Sequence, residues 1–385
     1  MKHSIKVAVV FGTRPEAIKL APVVRELSKD KRFHALTIVT GQHRQMLDQV
    51  LNLFKISPDY DLGVMTRKQS LATIVSRSVD RLDKVFREVR PDALLVQGDT
   101  SSTFVASLAG FYNRIPVGHV EAGLRTEDRW QPFPEEINRR LTSVLADWHF
   151  APTELARRNL LNEKISPQSI FVTGNTVVDA FRLALRTAKR KLQLPMSLAG
   201  KKIILVTAHR RENFGEPMKS ICLALSELVH GFPDVAVVFP VHLNPEVRKV
   251  VFPLLSKLER VWLTDPLDYF QNVQLIRQST LILTDSGGIQ EEAPILGRPV
   301  LILRNTTERP EGVRAGVARL VGTEKTRIVQ EASKLLSDPQ AYRRAAARAN
   351  PYGDGKAAKR IVGYLLYKFG LRRSLPVPFA TEFNH

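Results

Sequence analysis

The sequence predicts an α/β protein of two Rossmann-like halves, each a doubly wound parallel sheet. Three observations predict it. Short apolar runs alternate with segments of helical period along nearly the whole chain, and each pair of runs is separated by enough residues for a crossover helix. Two of the runs lead through a turn directly into a helix, one in each half. The 385 residues also exceed what a single ordinary hydrophobic core organises.

Val7-Ala8-Val9-Val10-Phe11 reads as the first strand, Gly12-Thr13-Arg14-Pro15-Glu16 as a turn, and Leu20, Val23, Val24 and Leu27 as the apolar face of the next helix. Thr13 and Glu16 have capping-box spacing, and Pro15 falls in the first turn, where its missing N–H costs nothing. Further strands are expected over residues 35–40, 93–97, 116–121, 148–151 and 170–173. A helical stretch from Val177 then runs out in Leu194-Pro195-Met196-Ser197-Leu198-Ala199-Gly200, whose Pro and Gly mark a junction, so the first domain is placed at 1–178. A second set of strands, over 202–207, 235–240, 261–263, 281–284, 299–303 and 317–321, defines a domain over 179–363. In it, Asp285-Ser286-Gly287-Gly288 joins a strand to Ile289-Gln290-Glu291-Glu292-Ala293. Ile361, Val362, Leu365 and Leu366 mark a last helix, and 364–385 reads as its end and a loose tail.

The formal net charge of +19 draws anionic ligands toward the surface but names none of them. Nucleic acid is the non-enzyme alternative. Against it, the basic residues are dispersed, without helix-turn-helix or zinc-finger spacing or a basic–aromatic platform. Their density rises at Arg343, Arg344, Arg348, Lys356, Lys359, Arg360, Lys368, Arg372 and Arg373, either a solvated face or a contact with an anionic surface. Cys222 is the one cysteine, so no intrachain disulfide forms and a reducing cytoplasm fits. Its neighbours Ile221, Leu223, Leu225 and Leu228 place it in a buried helix rather than at a reactive site. No stretch approaches the roughly 20 apolar residues of a membrane-spanning helix.

The candidate chemistry gathers at strand ends. Helix N-termini after the first strand and at Ser286, Gly287 and Gly288 offer unpaired N–H groups to a phosphate, and glycine lets it approach the backbone. Arg14 is aimed at the carboxyl edge of the first sheet, where open α/β sheets bind ligands, and Lys19 lies one turn further on. Asp99 and Glu121 each come directly after a strand and face the same crevice; Glu135 stands early in a helix whose Arg139 is one turn away. Carboxylates converging from separate loops act as acid and base when their surroundings differ. In the second half, His209-Arg210-Arg211 comes after a strand and suits a diphosphate; His242 ends the next strand, and Glu292 is placed to reach ribose hydroxyls. These histidines lack metal-ligand spacing.

The ordered run of motifs resembles the non-hydrolysing UDP-N-acetylglucosamine 2-epimerase family. It comprises Gly12-Thr13-Arg14-Pro15-Glu16-Ala17-Ile18-Lys19, Gln42-His43-Arg44-Gln45, Gly98-Asp99-Thr100, Gly118-His119-Val120-Glu121, Pro134-Glu135-Glu136-Ile137-Asn138-Arg139, Thr173-Gly174-Asn175-Thr176, His209-Arg210-Arg211-Glu212-Asn213, Asp285 through Ala293, and Thr306-Thr307-Glu308-Arg309-Pro310-Glu311. The resemblance spans roughly residues 7–363. It implies a glycosyltransferase-B-like fold with the active site between the halves, no cofactor and no metal; the first turn indeed lacks a dinucleotide fingerprint. It implies reversible conversion of UDP-GlcNAc to UDP-ManNAc, supplying ManNAc units for cell-surface polysaccharide. The path is elimination of UDP to 2-acetamidoglucal, then re-addition.

In that scheme Asp99, Glu121, Glu135 and His209 are the catalytic residues, the three carboxylates moving protons and stabilising the cation. Arg14, Lys19, His209, Ser286, Gly287 and Gly288 hold the diphosphate, and Arg139, His242, Glu292 and Arg309 complete the substrate contacts. The resemblance further implies a homodimer and a second UDP-GlcNAc bound as activator by Gln42, His43, Gln45, Lys68 and Arg210. Lys68 stands where an arginine is usual, replacing a bidentate fork with a point charge. A hydrolysing epimerase and a UDP-sugar glycosyltransferase of the same fold are the alternatives.

Overall fold

The computed structural model describes residues 4–41, 44–64, 70–187 and 192–380. The chain divides into two compact units, one up to Leu183 together with the residues from Tyr352 onward, the other Ala184–Pro351.

The first unit begins with β1 (Ile5–Phe11), α1 (Arg14–Ser28), β2 (Phe33–Val39), α2 (Arg44–Phe54), β3 (Tyr60–Asp61), α3 (Leu71–Val89) and β4 (Ala93–Gln97). It continues with α4 (Ser101–Tyr112), β5 (Val117–Val120), α5 (Glu135–Leu145), β6 (Trp148–Ala151), α6 (Glu154–Asn162), β7 (Ile170–Val172) and α7 (Thr176–Thr187), which crosses the boundary. The strands form one parallel sheet in the order β3-β2-β1-β4-β5-β6-β7. Val7 through Phe11 are all buried, as a central strand must be when helices cover both faces. The order reverses direction between β1 and β4, and the crevice outside such a switch point is where doubly wound sheets take ligands.

The second unit repeats the plan: β8 (Lys202–Thr207), α8 (Glu216–Gly231), β9 (Val235–Pro240), α9 (Pro245–Leu255), β10 (Val261–Thr264), α10 (Tyr269–Gln278), β11 (Leu281–Thr284), α11 (Gly287–Glu292), β12 (Val300–Ile302), α12 (Pro310–Arg314), β13 (Ala318–Leu320), α13 (Lys325–Ser337) and α14 (Pro339–Ala346). Its parallel sheet runs β10-β9-β8-β11-β12-β13, with the switch point between β8 and β11. Cys222 is fully buried in α8, where burial pushes its thiol up to about 12. All twelve expected strands are present; β3, two residues long, carries no apolar run to announce it.

The C-terminal region departs from expectation. The last helix, α15 (Ala357–Lys368), lies in the first unit against α1, so residues 352–363 do not belong with the second domain, and the division falls at 183/184 rather than after 178. The physical reason is its buried stripe of Ala358, Ile361, Val362, Tyr364 and Leu365, which finds its cover there. The Tyr364 ring meets Phe150 edge-on at 5.2 Å, and the Asp179 carboxylate caps the helix by accepting from the backbone N–H of Ala357 at 3.2 Å and Ala358 at 3.1 Å. Nor is the described part of the tail loose. The Phe379 N–H donates to the Val172 carbonyl at 2.9 Å, and the Arg360 guanidinium donates to Val377 O at 3.0 Å and lies 5.6 Å from the Phe379 ring centre. The tail thus covers the edge strand β7, whose backbone groups would otherwise be unpaired.

Candidate active site

At the carboxyl edge of the first sheet, Glu121 stands just past β5 with φ of 64°, in the left-handed region that costs a non-glycine residue about 1–2 kcal/mol. Three donors hold it. Lys19 Nζ, one turn into α1, meets Oε1 at 2.5 Å; Asn175 Nδ2 donates to Oε1 at 3.1 Å; Gln97 Nε2 at the end of β4 donates to Oε2. The carboxylate is therefore set as an acceptor, the starting role of a general base.

Asp99 stands after β4, next to it. Its Oδ2 pairs with Arg139 Nη2 and its carbonyl accepts from Asn138 Nδ2 at 3.0 Å, so α5 is fastened to the β4 loop by both ends of one residue. Glu136, fully buried, accepts from Arg139 at 3.3 Å, from Arg140 at 3.0 Å and from the Thr126 N–H at 3.2 Å. It thereby fixes the guanidinium that faces Asp99. Glu135, half-buried, is the first residue of α5, one turn before Arg139. Arg14 opens α1 after β1, on the other side of the switch point.

Glu16 does more than cap α1. Fully buried, it accepts from the N–H groups of Gly12 at 3.0 Å and Thr13 at 2.7 Å through Oε2, and from the hydroxyls of Thr100 at 2.6 Å and Thr103 at 2.9 Å through Oε1. Burial raises its pKa against the pull of these donors. One carboxylate thus ties the turn that presents Arg14 to the N-terminus of α4, immediately after Asp99.

His119 on β5 completes the support. Its Nε2 lies 2.7 Å from Gly98 O, and since a carbonyl only accepts, Nε2 carries the proton and Nδ1 is left buried and without a hydrogen-bond partner among the described residues. Burial lowers its pKa from 6.5 to about 3. Between those values the folded ring stays neutral while the unfolded one binds a proton, so its contribution to stability is lost as pH falls from 6.5 toward 3, by about 1.4 kcal/mol per pH unit. Urea unfolding of wild type and His119→Gln at several pH values should therefore show a shallower acid loss in the variant. Parallel profiles would mean that the ring titrates normally.

The second sheet presents its own set. Asp285, fully buried after β11, accepts at Oδ2 from the N–H of His209 at 2.8 Å, the N–H of Arg210 at 2.8 Å and Asn213 Nδ2 at 2.9 Å. Its Oδ1 faces His209 Nδ1 at 3.2 Å. Burial pulls His209 below its ordinary pKa, with Arg210 and His242 adding to that shift and Asp285 opposing it. The His209 and His242 rings stack at 5.7 Å, and the Asn244 N–H donates to His242 Nδ1 at 3.1 Å. Ser286 and Gly287 open α11, the Ser286 N–H donating to Thr284 Oγ1 at 2.9 Å. A Cβ on Gly287 would come within 3.8 Å of Arg309 Nη2, which places the guanidinium over this turn, where its Nε pairs with Glu291. Gly288 is exposed, and Glu292 is buried at the end of α11. Arg210 lies 3.9 Å from Glu308.

The structure thus groups Arg14, Lys19, Asp99, Glu121, Glu135 and Arg139 at one sheet edge, and His209, Arg210, His242, Ser286, Gly287, Gly288, Glu292 and Arg309 at the other. Gln42, His43, Lys68 and the side chain of Gln45 lie outside the described residues. Sequence reasoning assigned no role to Gln97, Asn175, Glu136, Asn213 or Asp285. Only their positions at strand ends and within the quoted motifs signalled them.

The family model for UDP-N-acetylglucosamine 2-epimerase matches residues 25–366. The Bacillus subtilis UDP-N-acetylglucosamine 2-epimerase is 52% identical over 378 residues, covering 98% of this chain and 99% of its own. A crystal structure of the UDP-GlcNAc 2-epimerase from Neisseria meningitidis bound to UDP-GlcNAc is 50% identical, with a TM-score of 0.87 over 94% of this chain and 100% of that one. The Methanocaldococcus jannaschii enzyme in complex with UDP-GlcNAc and UDP is 34% identical, with a TM-score of 0.78 over 94% and 100% of the two chains.

Proposed function

Because the chain belongs to the UDP-N-acetylglucosamine 2-epimerase family, we propose that it interconverts UDP-GlcNAc and UDP-ManNAc without hydrolysis, by elimination and re-addition of UDP. The sugar C2–H has no carbonyl beside it, so direct removal of its proton is out of reach. When the C1–O bond breaks and its electron pair leaves with UDP, the oxocarbenium ion that develops at C1 makes the C2 proton acidic. A carboxylate takes that proton and the C2–H pair forms the C1–C2 double bond of 2-acetamidoglucal. UDP then returns to C1 while a proton enters C2 from the opposite face.

The observation that carries this reading is Glu121, fixed in a strained conformation by Lys19, Asn175 and Gln97 beside the Asp99–Arg139 pair. Asp99, Glu121 and Glu135 are assigned to proton transfer and cation stabilisation. Arg14, Lys19, His209 and the Ser286-Gly287-Gly288 turn hold the diphosphate and lower the barrier by binding it more strongly as charge builds. Arg139, His242, Glu292 and Arg309 are assigned to the rest of the substrate. Enclosure of the glucal by domain closure belongs to the same scheme.

A cytoplasmic setting, a homodimer and a second UDP-GlcNAc held as activator by Gln42, His43, Gln45, Lys68 and Arg210 complete the proposal. Exposed Phe111 and Tyr112 at the end of α4, with Leu141 and Val144 on the adjoining α5, support a second copy as partner. Among the described residues no helix is long and apolar enough to cross a membrane.

Incubation with UDP-GlcNAc in deuterium oxide, followed by NMR, tests the chemistry. UDP-ManNAc should appear with deuterium at C2. Conversion without exchange excludes proton abstraction, whereas free ManNAc with UDP identifies a hydrolysing enzyme.

A further inference from the structure

The second unit holds a cavity of about 330 Å³ that the proposed reaction does not use. Pro299 and Val300 at the start of β12, and Val317 and Ala318 at the start of β13, form one wall. In a parallel sheet all strands begin at the same edge, so this cavity sits at the edge opposite His209, His242 and Ser286. Valine, leucine and alanine side chains from β12, β13, α13 and α14 make much of its lining apolar.

The remainder is markedly cationic. Arg319, Lys334, Arg344 and Arg348 line the cavity with a single carboxylate, Glu331, which is bonded to Arg319. Arg344 has Asp338 at 3.9 Å, a residue whose carboxylate is also engaged in capping α14. No ion pair within the described residues joins Lys334 or Arg348 to a carboxylate. Arg348 instead lies over Gly316, whose φ is +73° and whose Cβ, if present, would be 3.6 Å from the Arg348 Nε. All four cations are solvent-exposed, and they share the rim of one concave surface with a partly apolar lining.

We propose that this cavity is a second ligand site, for a phosphate monoester carried on a compact apolar body. Lys334 and Arg348, which no ion pair among the described residues joins to a carboxylate although Asp338 lies within electrostatic reach of Lys334, match in number the near-double negative charge that a phosphate monoester bears at pH 7. Guanidinium forks suit its planar faces of oxygens, and the apolar lining suits the body. A cavity of this volume is at the small end of ligand pockets, which suits a compact ligand. The same chemistry is offered by a free metabolite or by the headgroup of an anionic lipid such as phosphatidic acid.

Isothermal titration of the full chain with phenyl phosphate, in the presence of saturating UDP, separates this site from the opposite edge. Binding should weaken as pH falls below about 6, where the phosphate loses its second charge. The double variant Lys334→Gln/Arg348→Gln alters two exposed side chains, and an unchanged Tm checks its fold. It should raise Kd at least about tenfold, the loss of charge-assisted hydrogen bonds. UDP affinity should not change. Co-sedimentation with phosphatidylcholine vesicles containing phosphatidic acid, lost in the double variant, assigns the headgroup; phenyl phosphate binding without co-sedimentation assigns a soluble ligand. The proposal is overturned if neither probe binds, or if the double variant binds both as well as wild type. Because all the residues lie at the far sheet edge, neither result bears on the epimerase assignment.

Discussion

Glu121→Gln should lower kcat for epimerisation at least about a hundredfold while UDP binding survives, because a positioned acid–base group contributes typically 10²–10⁴ in rate. The substitution changes little else. Glutamine keeps the length of the side chain and the left-handed backbone at φ of 64°, so the loop after β5 retains its shape. Its amide oxygen still accepts from Lys19 and Asn175, and its NH₂ faces Gln97, which satisfies it by flipping its own amide to present oxygen. The variant therefore folds, and only the ability to take a proton is gone. Steady-state kinetics in both directions, with UDP binding measured by titration, decide the matter. Turnover near the wild-type rate would reduce Glu121 to a brace for Lys19.

The second large effect is expected at a residue that reaches the reaction only through another. Asp285→Asn should leave Tm nearly unchanged yet reduce kcat by about 10²–10⁴, the range contributed by a positioned acid–base group, the wrong tautomer of a catalytic histidine standing at about 10⁴. With the asparagine oxygen at the Oδ2 position, the three donors from His209, Arg210 and Asn213 remain satisfied. The new NH₂ then occupies the Oδ1 position, 3.2 Å from His209 Nδ1. Oδ1 completes no hydrogen bond to the ring in the structure, but a small ring rotation that closes one would put the proton on Nδ1 and leave Nε2 as the acceptor; a donor there reverses the two. NMR of the His209 ring nitrogens should show the switch, a readout that a purely structural role would not move. Asp285→Ala, by contrast, strands three buried donors and should lower Tm as well. If Asp285→Asn kept both wild-type kcat and the wild-type tautomer, Asp285 would serve the fold alone.

The positions of these residues were legible in different degrees. Strands of a doubly wound sheet are buried on both faces, so β1, β4, β8, β9 and β11 write themselves as unbroken apolar runs, and the residues directly after each run must lie at the carboxyl edge. Arg14, Asp99, Glu121, His209 and Ser286 could all be located by that rule. Gln97, Asn175, Glu136 and Asp285 could not be given roles, because a polar residue at a strand end or in a first turn looks the same whether it faces water or a neighbouring carboxylate. Glu16 shows the limit most clearly. Its spacing from Thr13 marks a cap, yet its bonds to Thr100 and Thr103 join positions more than eighty residues apart.

The sequence by itself determined the two-sheet α/β plan, the order of strands and helices along the chain and the family to which the residues belong, since periodicity and ordered motifs are local properties. Tertiary structure alone decided which surface α15 covers, that the tail straps β7 and where the division between the units falls. It alone also decided which donors hold Glu121 and that Asp285 gathers the N–H groups of His209 and Arg210 and the Asn213 amide. An apolar stripe states that a helix must be covered but not by what, because the burial energy of one greasy face against another has no direction. A hydrogen bond does have direction, but its partner is chosen by the path of the backbone through space rather than by the chain on either side of it.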